Sequence, residues 1–340
     1  MLQRRSVFRF AGLALLLAGL YCVLWLYEAS RIRAGLADFI AARAAKGMIV
    51  KTGAPEIGGF PLRIEAQFGG VSVDGLPYLP SAHLTAPVLI ARARPWLPDT
   101  WRFEAPQGLS LELPQQGATA AVGSTKGRAV LVRGDAGSVT IEVDAHDISA
   151  TMAGGEPVTA HHLELRFETP NRPAEDHSAE SLGVSLLADD AVLPSGIGPL
   201  GAKIEELSID AAVEGPIAEA APMQALTAWR DRGGTIELHR VHIRYGTLRL
   251  DGNGTIALDQ TLQPVGAFSA EMHGWQAALD AFAAGGVLTQ AEANYVRTGL
   301  TLLARKSEDG DERFSTSITL QNRLLYLGPA RIAKLPTIAW

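Results

Sequence analysis

From Leu62 to Leu327 the chain repeatedly places apolar residues at every second position, in runs too short and too strictly alternating for helices. Leu62, Ile64, Ala66 and Phe68 alternate with Arg63, Glu65 and Gln67, and Leu109, Leu111 and Leu113 alternate with Ser110 and Glu112. Val71 and Val73, Val130 and Val132, then Val139, Ile141 and Val143 continue the period, and Leu163, Leu165 and Phe167 alternate with Glu164, Arg166 and Glu168. It returns in residues 235–246 and 247–259, in Phe314 to Leu320 and in Arg323 to Leu327. Successive side chains of a strand point to opposite faces, so each run builds one apolar and one wetted face. The runs are bounded by Gly, Pro, Asn or Asp, which predicts an antiparallel meander. Asp251-Gly252-Asn253-Gly254 reads as a hairpin turn within the 247–259 run.

Helical spacing is confined to a few segments. Residues 30–47 carry Ile32, Leu36, Phe39, Ile40 and Arg43 on one stripe, with Gly47 as the stop. Met223, Leu226 and Trp229 predict a helix over 217–232 ended by Gly233-Gly234, and 275–284 and 288–305 read as two more. The fold class is therefore mainly β with a few helices. An N-terminal transmembrane helix is expected to precede a large antiparallel, curled sheet of about 12–18 strands, a sandwich or half-pipe groove.

The transmembrane expectation rests on Phe10–Tyr27, eighteen residues without a charge. As a helix they span roughly 27 Å, close to the hydrocarbon thickness of a bilayer. Arg4, Arg5 and Arg9 precede the run, so the N-terminus is expected in the cytoplasm and the bulk of the chain outside. The run exceeds the usual apolar region of a cleaved signal, and no good small-x-small site follows Tyr27, which favours an uncleaved signal anchor over a cleaved peptide. Lipidation at Cys22 is disfavoured by the bulky Tyr21 before it. The domain reading is thus a signal anchor over 1–29, a linking amphipathic helix over 30–47 and a periplasmic β-rich domain over 48–340. The polar, Pro-containing stretch near 171–180 is the place where that domain could divide.

Cys22 is the only cysteine, so the exported part must be held by core burial rather than disulfides, which suits a bacterial periplasm. Beyond residue 33 the net charge is about −10, with 25 basic and 35 acidic residues. That excludes a nucleic-acid partner and broad adhesion to anionic head groups.

Motifs that carry chemistry are missing. There is no Gly-x-Ser-x-Gly elbow around Ser195, no phosphate-binding loop and no dinucleotide fingerprint. His161 and His162 are adjacent, which on a regular strand sends them to opposite faces, and the same holds for His239 and His242. Glu175-Asp176-His177 reads as solvated charge in a loop, and Asp251–Gly254 lacks the later glutamate of a calcium loop. No catalytic, cofactor-binding or metal-binding residue is assigned. Trp96 and Trp101 read as local packing, and Gly58-Gly59-Phe60-Pro61 as a bend that sets Phe60 into the core.

Several phrases occur together in order. They are Ile57-Gly58-Gly59-Phe60-Pro61-Leu62-Arg63, Trp96-Leu97-Pro98 with Trp101, Ala105-Pro106, Asp251–Gly254, Leu258-Asp259, Leu262-Gln263-Pro264-Val265-Gly266-Ala267, Leu327-Gly328-Pro329 and Leu335-Pro336. With the N-terminal run, this set resembles the proteobacterial envelope family catalogued as domain of unknown function 2125, over roughly residues 5–340. The closing segment is distantly similar to AsmA-like envelope proteins, which implies an inner-membrane anchor and an elongated β groove associated with lipid transport. The resemblance implies location and layout, and no activity.

The expected function is that of a non-enzymatic, single-pass inner-membrane protein whose periplasmic sheet binds lipid or fatty acid, or supports envelope homeostasis. A protein-interaction scaffold with a closed core and an envelope protein partner is the alternative, and a hydrolase without a recognisable motif the third. An open apolar sheet face separates the first from the second.

Overall fold

The computed structural model describes residues 19–23, 25–31, 35, 38, 40–45, 47–76, 79–115, 118–134, 137–152, 155–195, 198, 200–218, 220–286, 289–303, 305–306, 312–328, 330–335 and 337–338. Residues 10–18 and Leu24 of the predicted anchor, and Ile32, Leu36 and Phe39 of the linking stripe, lie outside them, as do Gly196, Leu288, Pro329 and Pro336. Of the N-terminal segment, residues 19–23, 25–31 and 40–44 are helical. Among the described residues no helix is long and apolar enough to cross a membrane.

The alternating runs form one antiparallel sheet in chain order. β1 (Ile49–Lys51) and β2 (Glu56–Gly58) lie end to end along β3 (Ile64–Leu76), which pairs with β4 (Leu79–Arg94). β5 (Leu97–Ala105) and β6 (Leu109–Gln115) are two halves of the next line, both paired with β4. β7 (Ala118–Ser124) returns beside β6 and β8 (Lys126–Arg133) beside β5, and the long β9 (Val139–Met152) pairs with both. The break between β5 and β6 falls at Gly108, with φ +78°, where a Cβ would collide with the Ser124 carbonyl, so only glycine fits.

The meander continues through β10 (Val158–Thr169), β11 (Glu180–Val192), β12 (Lys203–Glu214), β13 (Thr235–Tyr245), β14 (Leu248–Leu258) and β15 (Pro264–His273), each paired with its predecessor. After the short β16 (Arg305–Lys306), β17 (Glu312–Gln321) pairs with β15, then β18 (Leu324–Leu327) with β17 and β19 (Ala330–Lys334) with β18. The nineteen strands among the described residues exceed the expected number because three of the long lines are each broken in two. The 170–179 connection joins β10 and β11, which pair with each other from Thr159–Val192 to Glu168–Gly183.

Among the described residues, three helices are inserted between strands. α1 (Pro222–Asp231) begins five residues later than the apolar spacing suggests. Pro222 is its first residue, and Ala221 before it is extended with ψ 147°, as a residue preceding proline prefers. α2 (Trp275–Ala284) has the predicted bounds, and α3 (Gln290–Leu303) lies within the predicted 288–305.

The sequence reading of Asp251–Gly254 as a hairpin is corrected: these residues run through the middle of β14. The glycines serve close approach there. A Cβ on Gly254 would fall 2.6 Å from Phe268 Cδ1 and one on Gly252 would fall 2.8 Å from the Ser269 carbonyl. Phe268, opposite Gly254 on β15, occupies the space a turn signal had claimed.

Candidate functional site: an uncovered apolar sheet face

The register aligns the apolar positions of successive strands into rows. One row passes from Ile57 through Ala66, Ala91, Phe103, Ala129, Val143, Leu165, Leu186 and Ile209 to Val241. A second, two residues along each strand, passes from Ile64 through Ala93, Trp101, Leu131, Ile141, Phe167, Val184 and Ala211 to Leu238. A third joins Ala145, Leu163, Ala188, Leu207, Ile243 and Leu250. An extra residue at His239–Arg240 keeps Leu238 and Val241 on the same face, so the rows survive the β12–β13 irregularity.

Two sets of side chains cover the ends of this face. At the β2–β3 end, Trp25 and Ala29 of the N-terminal helix are buried against Ile64, with Ile57 beside them. The Trp25 indole donates to the Arg63 carbonyl at 3.0 Å, and the Tyr21 hydroxyl donates to the Pro61 carbonyl. Phe60 is not set into the core as expected. It is 52% exposed and meets Trp25 edge-on, with ring centroids 5.4 Å apart. The Gly59–Pro61 bend, with Gly59 at φ +93°, carries it to the helix. At the opposite end, Trp275 and Leu279 of α2 and Val296 of α3 bury Ala270 and Met272, with Leu250, Ile318 and Leu327 packed around them.

Among the described residues, nothing closes the face between these ends. Leu163, Leu165, Phe167, Val184, Leu186, Leu207, Ile209 and Ile243 all remain partly exposed. In β9–β13 the buried hydrophobic residues are Ala145, Ile148, Ala188 and Ala212, small side chains except for one isoleucine. α1 is occupied at the rim of the sheet: the Trp229 indole donates to the Glu214 carbonyl at 2.7 Å, and Arg230 donates to the Gln260 carbonyl at 2.9 Å. Leu111, on β6, lies in a further apolar line with Leu84 and Val122. Trp101 stacks on Phe103 at 6.4 Å within the open face, whereas Trp96 is exposed at the β4–β5 turn.

The opposite face is charged and internally paired. Arg92 lies 2.7 Å from Glu65 and 2.5 Å from Glu104, and Arg166 bridges Glu142 at 3.3 Å and Glu168 at 2.8 Å. The hydrogen bond from Arg92 outweighs desolvation and holds the Glu65 carboxyl below its ordinary range.

Of the histidines considered from sequence, His161, His162 and His242 lie on this side. His161 and His162 do not part to opposite faces. Their rings stand 6.3 Å and 4.9 Å from that of His146, because Asp147, across from His161, takes φ +49° and breaks the regular alternation. His161 lies 3.3 Å from Asp147, whose carboxyl is held low first by the Thr125 hydroxyl and then by His161. His242 pairs with Asp251 at 2.7 Å, and His239 stands exposed at the β13 bulge. Asp176 accepts from Ser178 Oγ at 2.8 Å and Ser178 N at 2.9 Å within its own turn, with His177 exposed beside it. His146 was missed from sequence. It stands directly opposite His162 on the β9–β10 hairpin, the two being equidistant from the turn.

The bacterial family described as "Uncharacterized protein conserved in bacteria (DUF2125)" matches residues 25–336, and the chain belongs to it. No curated protein matches the chain.

Proposed function

We propose that this member of the DUF2125 family is a non-enzymatic, single-pass inner-membrane protein that holds a lipid acyl chain in its periplasmic sheet. The observation that carries this reading is the continuous apolar face, covered by helices at both ends and left partly exposed across β8–β13. Six strand lines span roughly 24 Å at about 4.8 Å per spacing. Such a trough would be filled by methylenes, each contributing about 0.8 kcal/mol on burial. About ten of them offset much of the roughly 4–15 kcal/mol that association costs, with no charged recognition motif. The AsmA-like similarity belongs to this proposal.

The anchor is part of the same proposal. Leu20, Val23, Leu26 and Tyr27 are each more than half exposed on the N-terminal helix, while Trp25 and Ala29 turn to the sheet. Together with residues 10–18, that outer surface would continue an apolar segment into the bilayer.

Organic extraction and native mass spectrometry of gently purified full chain test the reading. Phospholipid or fatty acid near one equivalent per chain is expected. Protein free of lipid, with the apolar face covered by a second copy or another protein, would replace it with the scaffold reading.

A further inference from the structure

We propose that Asp144, His146 and His162 form a binding site for a divalent cation of the zinc type on the charged face of the sheet. The site is separate from the apolar face and does not rest on the lipid reading. The ligating atoms of these three residues lie within 4.8 Å of one another. His146 Nε2 is 3.1 Å from Asp144 Oδ1, and the two imidazoles are stacked at 4.9 Å with 17° between their planes. The register makes this a rigid arrangement: Asp144 and His146 are two apart on β9, and His162 on β10 is directly opposite His146.

The surrounding groups fit a metal-bound histidine. Asp189 Oδ2, on β11 opposite His162, lies 3.3 Å from His162 Nδ1. A carboxylate on Nδ1 fixes the tautomer that presents Nε2 to a metal and raises its basicity. Glu164, opposite Asp144, places Oε1 3.5 Å from His162 Nε2 and offers a further oxygen donor. Zinc bonds of about 2.0–2.1 Å put tetrahedral ligands about 3.3 Å apart. The three side chains are partly exposed, and ligation requires the two stacked imidazoles to turn about χ2 so that their in-plane lone pairs converge on one ion. Lys126 and Arg128 stand opposite His146 and Asp144 on β8, and their charge opposes the cation.

Other histidines on the sheet pair with acids differently. His83 meets Asp74, His242 meets Asp251 and His273 meets Glu271. Among the described residues, only the 144–146–162 group meets the geometric requirement for three ligands.

The test is calorimetric titration of untagged, chelator-stripped full chain with zinc chloride. One equivalent should bind, and His146→Ala and His162→Ala should each weaken binding at least about tenfold, with Asp189→Asn causing a smaller loss. His242→Ala should leave it unchanged. Zinc K-edge absorption should show two imidazole nitrogens at about 2.0 Å. His162→Gln, which keeps a polar side chain, serves if an alanine variant fails to fold. Absence of binding, or an equal loss in His242→Ala, overturns the proposal.

Discussion

The Trp25 indole N–H donates to the Arg63 carbonyl across 3.0 Å and ties the N-terminal helix to the start of the sheet. The same ring is 8% exposed and packs on Phe60 and Ile64, so the tie is hydrophobic as well as polar. Trp25→Ala is expected to cost about 3–5 kcal/mol, as for other buried aromatic truncations. Denaturant unfolding followed by far-UV circular dichroism measures it, and Trp25→Phe should lose less.

The proposed topology predicts an active alkaline phosphatase fused to the C-terminus and a dark fluorescent protein that matures only in the cytoplasm. Membranes should retain the chain through carbonate extraction, and its intact mass should include Met1 to Tyr27. The reverse pair of fusion results places the sheet in the cytoplasm.

A charge on the open face should expel an acyl chain. Ile141→Asp or Ile209→Asp is expected to lower co-purified lipid several-fold, whereas Ser208→Asp, which alternation puts on the charged face, should leave it unchanged. Extraction of variants with matched melting temperatures reads the difference; equal lipid in all three counts against the trough.

The Glu65–Arg92–Glu104 cluster predicts a specific acid sensitivity. The hydrogen bond from Arg92 depresses the Glu65 carboxyl below its ordinary value of 4.5, so its stabilisation is complete above that pH. It is lost as pH falls through the depressed folded-state value, because protonation removes the charge that Arg92 holds. Arg92→Met should therefore lose less stability than the wild type between pH 7 and pH 3. An identical decline in both proteins, measured by urea unfolding at each pH, sinks the assignment.

Alternation is a local property, so Leu163–Phe167 or Leu109–Leu113 announces a strand and its two faces without reference to any partner. The lack of disulfides and of catalytic motifs is equally legible residue by residue. Where a neighbouring strand decides, local signals mislead. Asp251–Gly254 has turn composition, yet Phe268 on β15 and the pairing with β13 hold it extended. Phe60 looks like a core residue, yet the bend at Gly59 hands it to Trp25, thirty-five positions earlier. His146 carries no signal in sequence and becomes a neighbour of His162 only once the β9–β10 register is set. Which part of the apolar face stays open is likewise non-local. It depends on α2, α3 and the N-terminal helix packing at the two ends of a sheet whose rows are assembled from strands distant along the chain. Side-chain direction follows from two backbone angles per residue, whereas coverage follows from where the rest of the chain can pack.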